Sequence, residues 1–144
     1  MNIKELEKKA EAGDADAQYR LGLEYKAGDN IKPSDKDALY WFTKAADQGN
    51  ADAKYKAGLI HFCGGLGVKT NKIIGFRFWI EAAEQGHEGA QKQLDYYSFD
   101  WDLKELIKTI KENIILDKAA EAAMFAQQNK DDLQENLKNL EKII

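Results

Sequence analysis

The stretch GDADAQYRLGL at residues 13–23 recurs as GNADAKYKAGL at residues 49–59, 36 residues further along the chain. A second stretch behaves in the same way, because WFTKAADQG at residues 41–49 returns as FWIEAAEQG at residues 78–86, 37 residues later. The one-residue difference falls in the loop that joins the two stretches, where an insertion costs little. A period in this range is typical of a helical solenoid.

Apolar residues in helical spacing predict the helices of this repeat. We expect them at about residues 2–12, 15–27, 35–48, 51–62, 71–85 and 88–97. Two residue pairs have the spacing of a capping box, which marks the start of a helix. They are Asn2 with Glu5 and Ser34 with Asp37. Glycines that follow alanine-rich stretches are expected in the left-handed conformation that ends a helix, and these are Gly13, Gly49 and Gly86.

Two glycines lie inside predicted helices, at Gly22 and Gly58. Glycine in a helix interior costs about 1 kcal/mol relative to alanine, so its recurrence implies a packing reason. We predict that a bulky aromatic side chain from the paired helix lies over each glycine. The candidates are Trp41, Phe42, Phe78 and Trp79.

These residues resemble the Sel1-like repeat family, a subclass of the tetratricopeptide-type solenoids. That family has the pattern Ala-x-x-x-Leu-Gly-x-x-Tyr, a glycine-containing loop, and a helix that ends Trp-aromatic-x-Lys-Ala-Ala-x-x-Gly. The matching residues are Ala17, Leu21, Gly22, Tyr25, Gly28, Ala38, Trp41, Phe42, Lys44, Ala45, Ala46 and Gly49. The second copy departs from the pattern at Ala57, His61, Gly75 and Glu81.

The resemblance covers about residues 8–97 and implies an all-α fold. This fold is an α-α superhelix, a right-handed solenoid of antiparallel helix pairs with a helical C-terminal cap. We expect residues 1–97 to form the solenoid, with full repeats at about 13–48 and 49–85 and a partial repeat on either side. Residues 98–144 are expected to form the cap within the same domain.

The C-terminal third differs in composition, because residues 91–144 contain neither glycine nor proline and are predicted to be helical. Asp102 with Glu105, and Asp132 with Glu135, have the acid spacing of capping boxes. An apolar seam of 4-3-4 spacing follows, formed by Leu133, Leu137, Leu140 and Ile144. Two interpretations stay open: these helices cap the solenoid end, or the last helix pairs with a second copy or a partner.

Composition limits the function classes. The net charge of −4 argues against nucleic acid, because phosphate binding needs a basic surface. A single cysteine, Cys63, excludes an intramolecular disulfide and suits a reducing compartment. The charged N-terminus is unlike a secretory signal, and no apolar run approaches the ~18 residues of a membrane span. We therefore expect a cytoplasmic protein without membrane association.

No catalytic constellation is apparent, so we expect a non-enzymatic protein with no metal and no cofactor. His61 takes the family's tyrosine position and is expected in the core, whereas His87 is expected to be solvated. Cys63 aligns with Ala27 and is expected to pack as a small residue. The Gly64–Gly67 stretch lacks the spacer of a phosphate loop. We interpret it as the glycine-containing loop of the family, with Val68 pointing inward. Asp100 and its neighbours should cap a helix, with Trp101 packed on the solenoid end.

A solenoid of this family presents variable side chains from its successive first helices. The predicted partner contacts are Arg20, Lys56 and Gln93 at one repeat position and Glu24, Ile60 and Tyr97 at another. The resemblance implies a protein-binding module, a bacterial adaptor or scaffold, or an immunity protein that neutralises a toxin. A mildly acidic chain suits a basic toxin or effector domain. The alternative is a self-assembling structural protein that uses its C-terminal helices. We expect the chain to be a monomer or a weak homodimer.

Overall fold

The computed structural model describes residues 2–143 of the chain, and the side chains of residues 2–142. This part contains seven α-helices and no β-strand, with one isolated antiparallel bridge between Gly65 and Val68. The helices are α1 Ile3–Glu11, α2 Ala15–Ala27, α3 Asp35–Asp47, α4 Ala51–Cys63, α5 Lys72–Glu84, α6 Glu88–Tyr97 and α7 Trp101–Ile143. From α1 to α6, consecutive helices pack on one another. The predicted all-α solenoid of helix pairs is confirmed.

Each helix begins after a polar residue whose side chain accepts a hydrogen bond from the backbone N–H three residues later. The capping residues are Asn2, Asp14, Ser34, Asn50, Asn71, His87 and Asp100. Such caps satisfy donors that a helix start otherwise leaves unpaired. The predicted helix starts at Asn2 and Ser34 are confirmed. The predicted start at Asp102 is wrong by two residues, because Asp100 accepts from the Leu103 N–H at 3.1 Å.

Close helix approach explains the glycines inside α2 and α4. A Cβ placed on Gly22 would lie 2.6 Å from the ring carbons of Phe42. A Cβ placed on Gly58 would lie 2.5 Å from the indole of Trp79. The predicted aromatic covers are therefore Phe42 and Trp79, which occupy equivalent positions in the two repeats. Both side chains are fully buried, so this contact sets the distance between the helices of each pair.

The chain divides into two compact units, Met1–Ile110 and Lys111–Ile144. The first unit holds α1 to α6 and the beginning of α7. The second unit is the remainder of α7, and the helix continues past Asp117 without interruption. Asp132 lies in mid-helix, where it accepts a hydrogen bond from Gln128 at 3.0 Å, so the predicted helix start there is wrong. Ile144 of the predicted seam lies outside the described residues. The assignment of residues 98–144 to the same domain stays a prediction.

Candidate protein-binding surface

Three of the predicted contact residues occupy one equivalent position on α2, α4 and α6. Arg20 is exposed, and its guanidinium pairs with Asp16 at 3.0 Å one turn earlier. Lys56 is partly buried and holds its ammonium 6.0 Å from the ring centre of Tyr55. Gln93 is also partly buried. Each of these side chains therefore retains surface that a partner can contact.

The second predicted position gives a different result in each repeat. Glu24 on α2 is partly exposed and accepts a hydrogen bond from Asn30 at 3.1 Å. Ile60 on α4 is only 4 % exposed and belongs to a core cluster with Phe42 and Ala57. Burial of that side chain leaves no surface for a partner, so Ile60 is a core residue and its prediction as a contact is wrong.

Tyr97 is the α6 residue at this position, and it lies in a cluster of four aromatic rings. Its ring centre is 4.6 Å from Phe62, 5.8 Å from Phe76 and 6.0 Å from Trp79. Burial raises the pKa of the Tyr97 phenol above its ordinary value. The side chain is nonetheless only half-buried, so Tyr97 supports the core with one face and keeps the other at the surface.

A polar contact between α4 and α6 was not foreseen from the sequence. His87 accepts the Ala90 N–H at its Nδ1, which places the proton on Nε2, and Nε2 donates to the Asp52 carboxylate at 2.9 Å. Its ring also stacks on Tyr55, with the centres 4.7 Å apart. The side chain is 16 % exposed, so the prediction of a solvated His87 is wrong. Its position three residues after the end of an alanine-rich helix was the available signal, because Asp14 and Asn50 cap helices at the equivalent places.

Two glutamines tie the end of each full repeat to its beginning. Gln48 donates to the carbonyl oxygen of Gly13 at 2.9 Å, and Gln85 donates to that of Gly49 at 2.7 Å. Gln48 also donates to Gln18 at 2.8 Å, and the buried Gln18 donates to the Ala10 carbonyl at 3.0 Å. Because Gln48 and Gln85 precede equivalent glycines, the sequence carried this signal. These bonds connect the chain just after α3 with the chain just before α2, and the chain just after α5 with the chain just before α4.

The glycine-rich loop of the second repeat is anchored by a carboxylate. Asp35 accepts the Leu66 N–H at 3.0 Å and the Lys26 ammonium at 2.7 Å. The hydrogen bond from Lys26 and then that from Leu66 hold the pKa of Asp35 below its ordinary value. A Cβ on Gly65 would lie 2.5 Å from the Asp35 carboxylate, so glycine is required there for packing. Val68 packs against the core as predicted.

The candidate reactive residues do not converge. His61 stacks on Phe78 with ring centres 5.7 Å apart, and burial lowers the pKa of its imidazole. Cys63 is exposed, so the prediction that it packs as a small residue is wrong. Among the described residues, no group of three histidine, cysteine, aspartate or glutamate side chains could hold a metal ion. No helix within residues 2–143 is long and apolar enough to cross a membrane.

The end of α6 and the start of α7 carry exposed aromatic side chains. Trp101 is 72 % exposed, and the prediction that it packs on the solenoid end is therefore wrong. Tyr96 and Phe99 are exposed as well. The Asp100 carboxylate caps α7, as expected of this acidic stretch.

Comparison with known proteins agrees with the repeat pattern. The Sel1 repeat family model matches residues 15–50 and 51–87. A protective antigen of uropathogenic Escherichia coli with an SLR fold is 33 % identical, with a TM-score of 0.63 over 65 % of this chain and 20 % of that one. A Sel1 repeat protein from Oxalobacter formigenes is 34 % identical, with a TM-score of 0.60 over 63 % of this chain and 26 % of that one. The chain therefore matches only a fifth to a quarter of the length of these two structures. No curated protein matches the chain.

Proposed function

Since the chain belongs to the Sel1 repeat family, whose members are generally protein-interaction modules, we propose that it binds a partner protein. The contact surface is one face of the first helices of successive repeats, α2, α4 and α6. We name this the recognition face and define it by Arg20, Glu24, Lys56, Gln93 and Tyr97. The observation that carries the proposal is the equivalent placement of Arg20 and Lys56. One position in two successive repeats leaves a cationic side chain at the surface.

A rigid support makes such a face useful for recognition. The helix pairs are fixed by the contacts of Gly22 with Phe42 and of Gly58 with Trp79. The glutamine bonds from Gln48 and Gln85 tie the end of each full repeat to its beginning. A surface that is already ordered loses little conformational entropy when a partner binds. Side chains at fixed intervals can then select a complementary partner surface.

The finer proposal is a bacterial adaptor, with an immunity protein that neutralises a basic toxin or effector domain as its most concrete form. Its support is the role that the family resemblance implies and the net charge of −4. Net negative charge speeds the approach of a basic partner over long range. At short range, Arg20 and Lys56 would each bind a partner carboxylate.

The test is an affinity capture from a lysate of the native host, followed by calorimetric titration of the purified partner. The variant Arg20→Ala with Lys56→Ala removes the two cations of the recognition face. The matched control is Lys36→Ala with Lys44→Ala, which removes two exposed cations from α3. We expect the first variant to weaken binding about tenfold or more and the control to bind as the unaltered chain does.

Equal binding by both variants would show that the recognition face is not the contact surface. Capture of a small basic toxin, together with protection of cells from that toxin by the chain, would identify the immunity role. Capture of another class of partner at one-to-one stoichiometry would leave the adaptor role and exclude the immunity role.

A further inference from the structure

The second unit of the chain is one helix whose apolar side chains have no other element in that unit to pack against. Every described side chain from residue 115 to residue 142 is exposed. Four leucines among them are 57–65 % exposed, namely Leu116, Leu133, Leu137 and Leu140. Most helices in water take their stability from packing of an apolar face. A helix of this composition therefore implies an occupant for that face.

The exposed leucines belong to a longer heptad pattern than the sequence seam suggests. The a positions are Leu116, Ala123, Lys130 and Leu137. The d positions are Ala119, Ala126, Leu133 and Leu140. After Leu116, three consecutive alanines are followed by Lys130 and then by three consecutive leucines. We name these eight residues the α7 seam.

Apart from Lys130 and Glu141, the charges of the helix avoid the α7 seam and its edges. Between residues 115 and 140, the flanking e and g positions contain only isoleucine, alanine, glutamine and asparagine, and Glu141 occupies the last e position. Apart from Lys130, every charged residue in this stretch lies at b, c or f, away from the seam. Two copies of this face therefore meet without like-charge repulsion at the edges, whereas a basic or acidic partner would find no complementary charge there.

An antiparallel pair of these helices gives complementary layers. When Leu116 of one copy faces Leu140 of the second, Ala119 faces Leu137 and Ala123 faces Leu133. Each of these alanines then meets a leucine, the alternation of small and large side chains that lets layers interdigitate. Lys130 faces Ala126, so the lysine stem lies on a small residue and its ammonium reaches water.

A parallel pair in the same register is much less favourable. Ala119, Ala123 and Ala126 would each face their own copy, and three consecutive alanine layers leave the helices poorly packed. Lys130 would face Lys130, which places two like charges at the centre of the interface. The residue pattern therefore favours the antiparallel arrangement.

We propose that residues 115–141 form an antiparallel two-helix coiled coil with the same segment of a second copy of this chain. The a, d, e and g positions contribute sixteen residues from each copy. Specific interfaces use about 20–30 residues a side to bury about 800 Å² per partner. In proportion, this one buries about 500 Å² per partner, near the lower limit for a specific contact. The dimer is therefore a weak one, and it forms independently of the recognition face.

The first test is sedimentation equilibrium of the full chain from about 1 µM to about 1 mM, the range expected of a weak interface. We expect a reversible monomer–dimer equilibrium. Leu137→Asp, within the α7 seam, should weaken dimerisation about tenfold or more, and Lys130→Leu should strengthen dimerisation. The matched control is Phe125→Asp at an outer c position, which should leave the dimerisation affinity unchanged. Because Lys130→Leu predicts a gain, loss of folding cannot imitate the full set of results.

A second test fixes the orientation, on a Cys63→Ser background. Leu116→Cys and Leu140→Cys proteins are oxidised separately and as a mixture. Antiparallel pairing gives a disulfide-linked dimer only in the mixture, and parallel pairing gives one in each protein alone. A chain that stays monomeric throughout, a Phe125→Asp effect as large as that of Leu137→Asp, or self-linking of the Leu116→Cys protein would each overturn the proposal. A monomer would leave the solenoid or another protein as the occupant of the seam.

Discussion

The two complete repeats have the same helix arrangement but different cores. In the first repeat, Phe42 covers Gly22 and lies beside Tyr19, with ring centres 5.8 Å apart. In the second repeat, Trp79 covers Gly58 and joins a cluster with Phe62, Phe76 and Tyr97. The comparison teaches that a glycine opposite a large ring preserves the geometry of the helix pair. The remaining core residues vary as long as the space is filled.

The largest expected effect separates the two covering rings. Trp79→Ala and Phe42→Ala should each destabilise the fold by about 3–5 kcal/mol, because both side chains are buried. Trp79→Ala should lower the free energy of unfolding by about 1 kcal/mol more than Phe42→Ala does. The reason is that it also removes the hydrogen bond from Nε1 to the Tyr55 carbonyl at 3.2 Å. Urea denaturation followed by circular dichroism measures both. Tyr40→Ala, at an exposed ring of α3, serves as the control, and a greater loss from Phe42→Ala would refute the ranking.

A smaller effect distinguishes the two glycines. The three atoms nearest to the Cβ of Gly22→Ala all belong to the Phe42 ring, whereas the Cβ of Gly58→Ala would also lie 3.1 Å from the backbone oxygen of Gly75. A side chain can rotate away, but a carbonyl inside a helix cannot. We therefore expect Gly58→Ala to destabilise by about 1–3 kcal/mol and Gly22→Ala by less, partly offset by better helix propensity. Thermal unfolding of the two variants side by side decides this, and equal losses would contradict it.

The smallest effect concerns pH, because the second repeat has His61 where the first has Tyr25. Burial lowers the pKa of folded His61, while the unfolded value is about 6.5. As pH falls, the unfolded chain takes up the proton first. The contribution of neutral His61 to the free energy of unfolding is therefore fully present above about pH 6.5. It is lost as pH falls towards the pKa of the folded state. His61→Tyr, which copies the first repeat, should flatten this part of the stability profile.

The measurement is the urea midpoint of both proteins at about pH 7.5 and about pH 5.5, on either side of the unfolded pKa. Subtracting the two profiles removes the titration of every group that they share. An identical change with pH in both proteins would mean that His61 is not the source of the pH dependence.

Local and repeated signals were readable from the sequence. Gly22 and Gly58 implied the covering rings because glycine inside a helix is costly, and Asn2 and Ser34 marked helix starts by their spacing. Signals that depend on non-local packing failed. Ile60 is buried because the loop residue Val68 and the neighbouring helix close over it, and no local pattern reveals that. Trp101 is apolar yet exposed, which shows that hydrophobicity alone does not determine burial.

The C-terminal helix illustrates the same limit. Its helical character followed from composition, since residues 91–144 contain neither glycine nor proline. Its continuity did not, because Asp132 with Glu135 has the spacing of a helix start. In α7 the Asp132 carboxylate accepts from Gln128 instead. Capping residues are informative only where the chain has another reason to turn.

The contact of each helix from α1 to α6 with its chain neighbours has an evolutionary consequence. Gln48 reaches back to Gly13, and Gln85 reaches back to Gly49, so each full repeat carries both the donor at its end and the acceptor at its own start. An in-frame duplication of codons 49–85 would create a new junction with a matching donor and acceptor. A gene of this kind can therefore lengthen or shorten its product by whole repeats, without the coordinated mutations that a single closed core would demand.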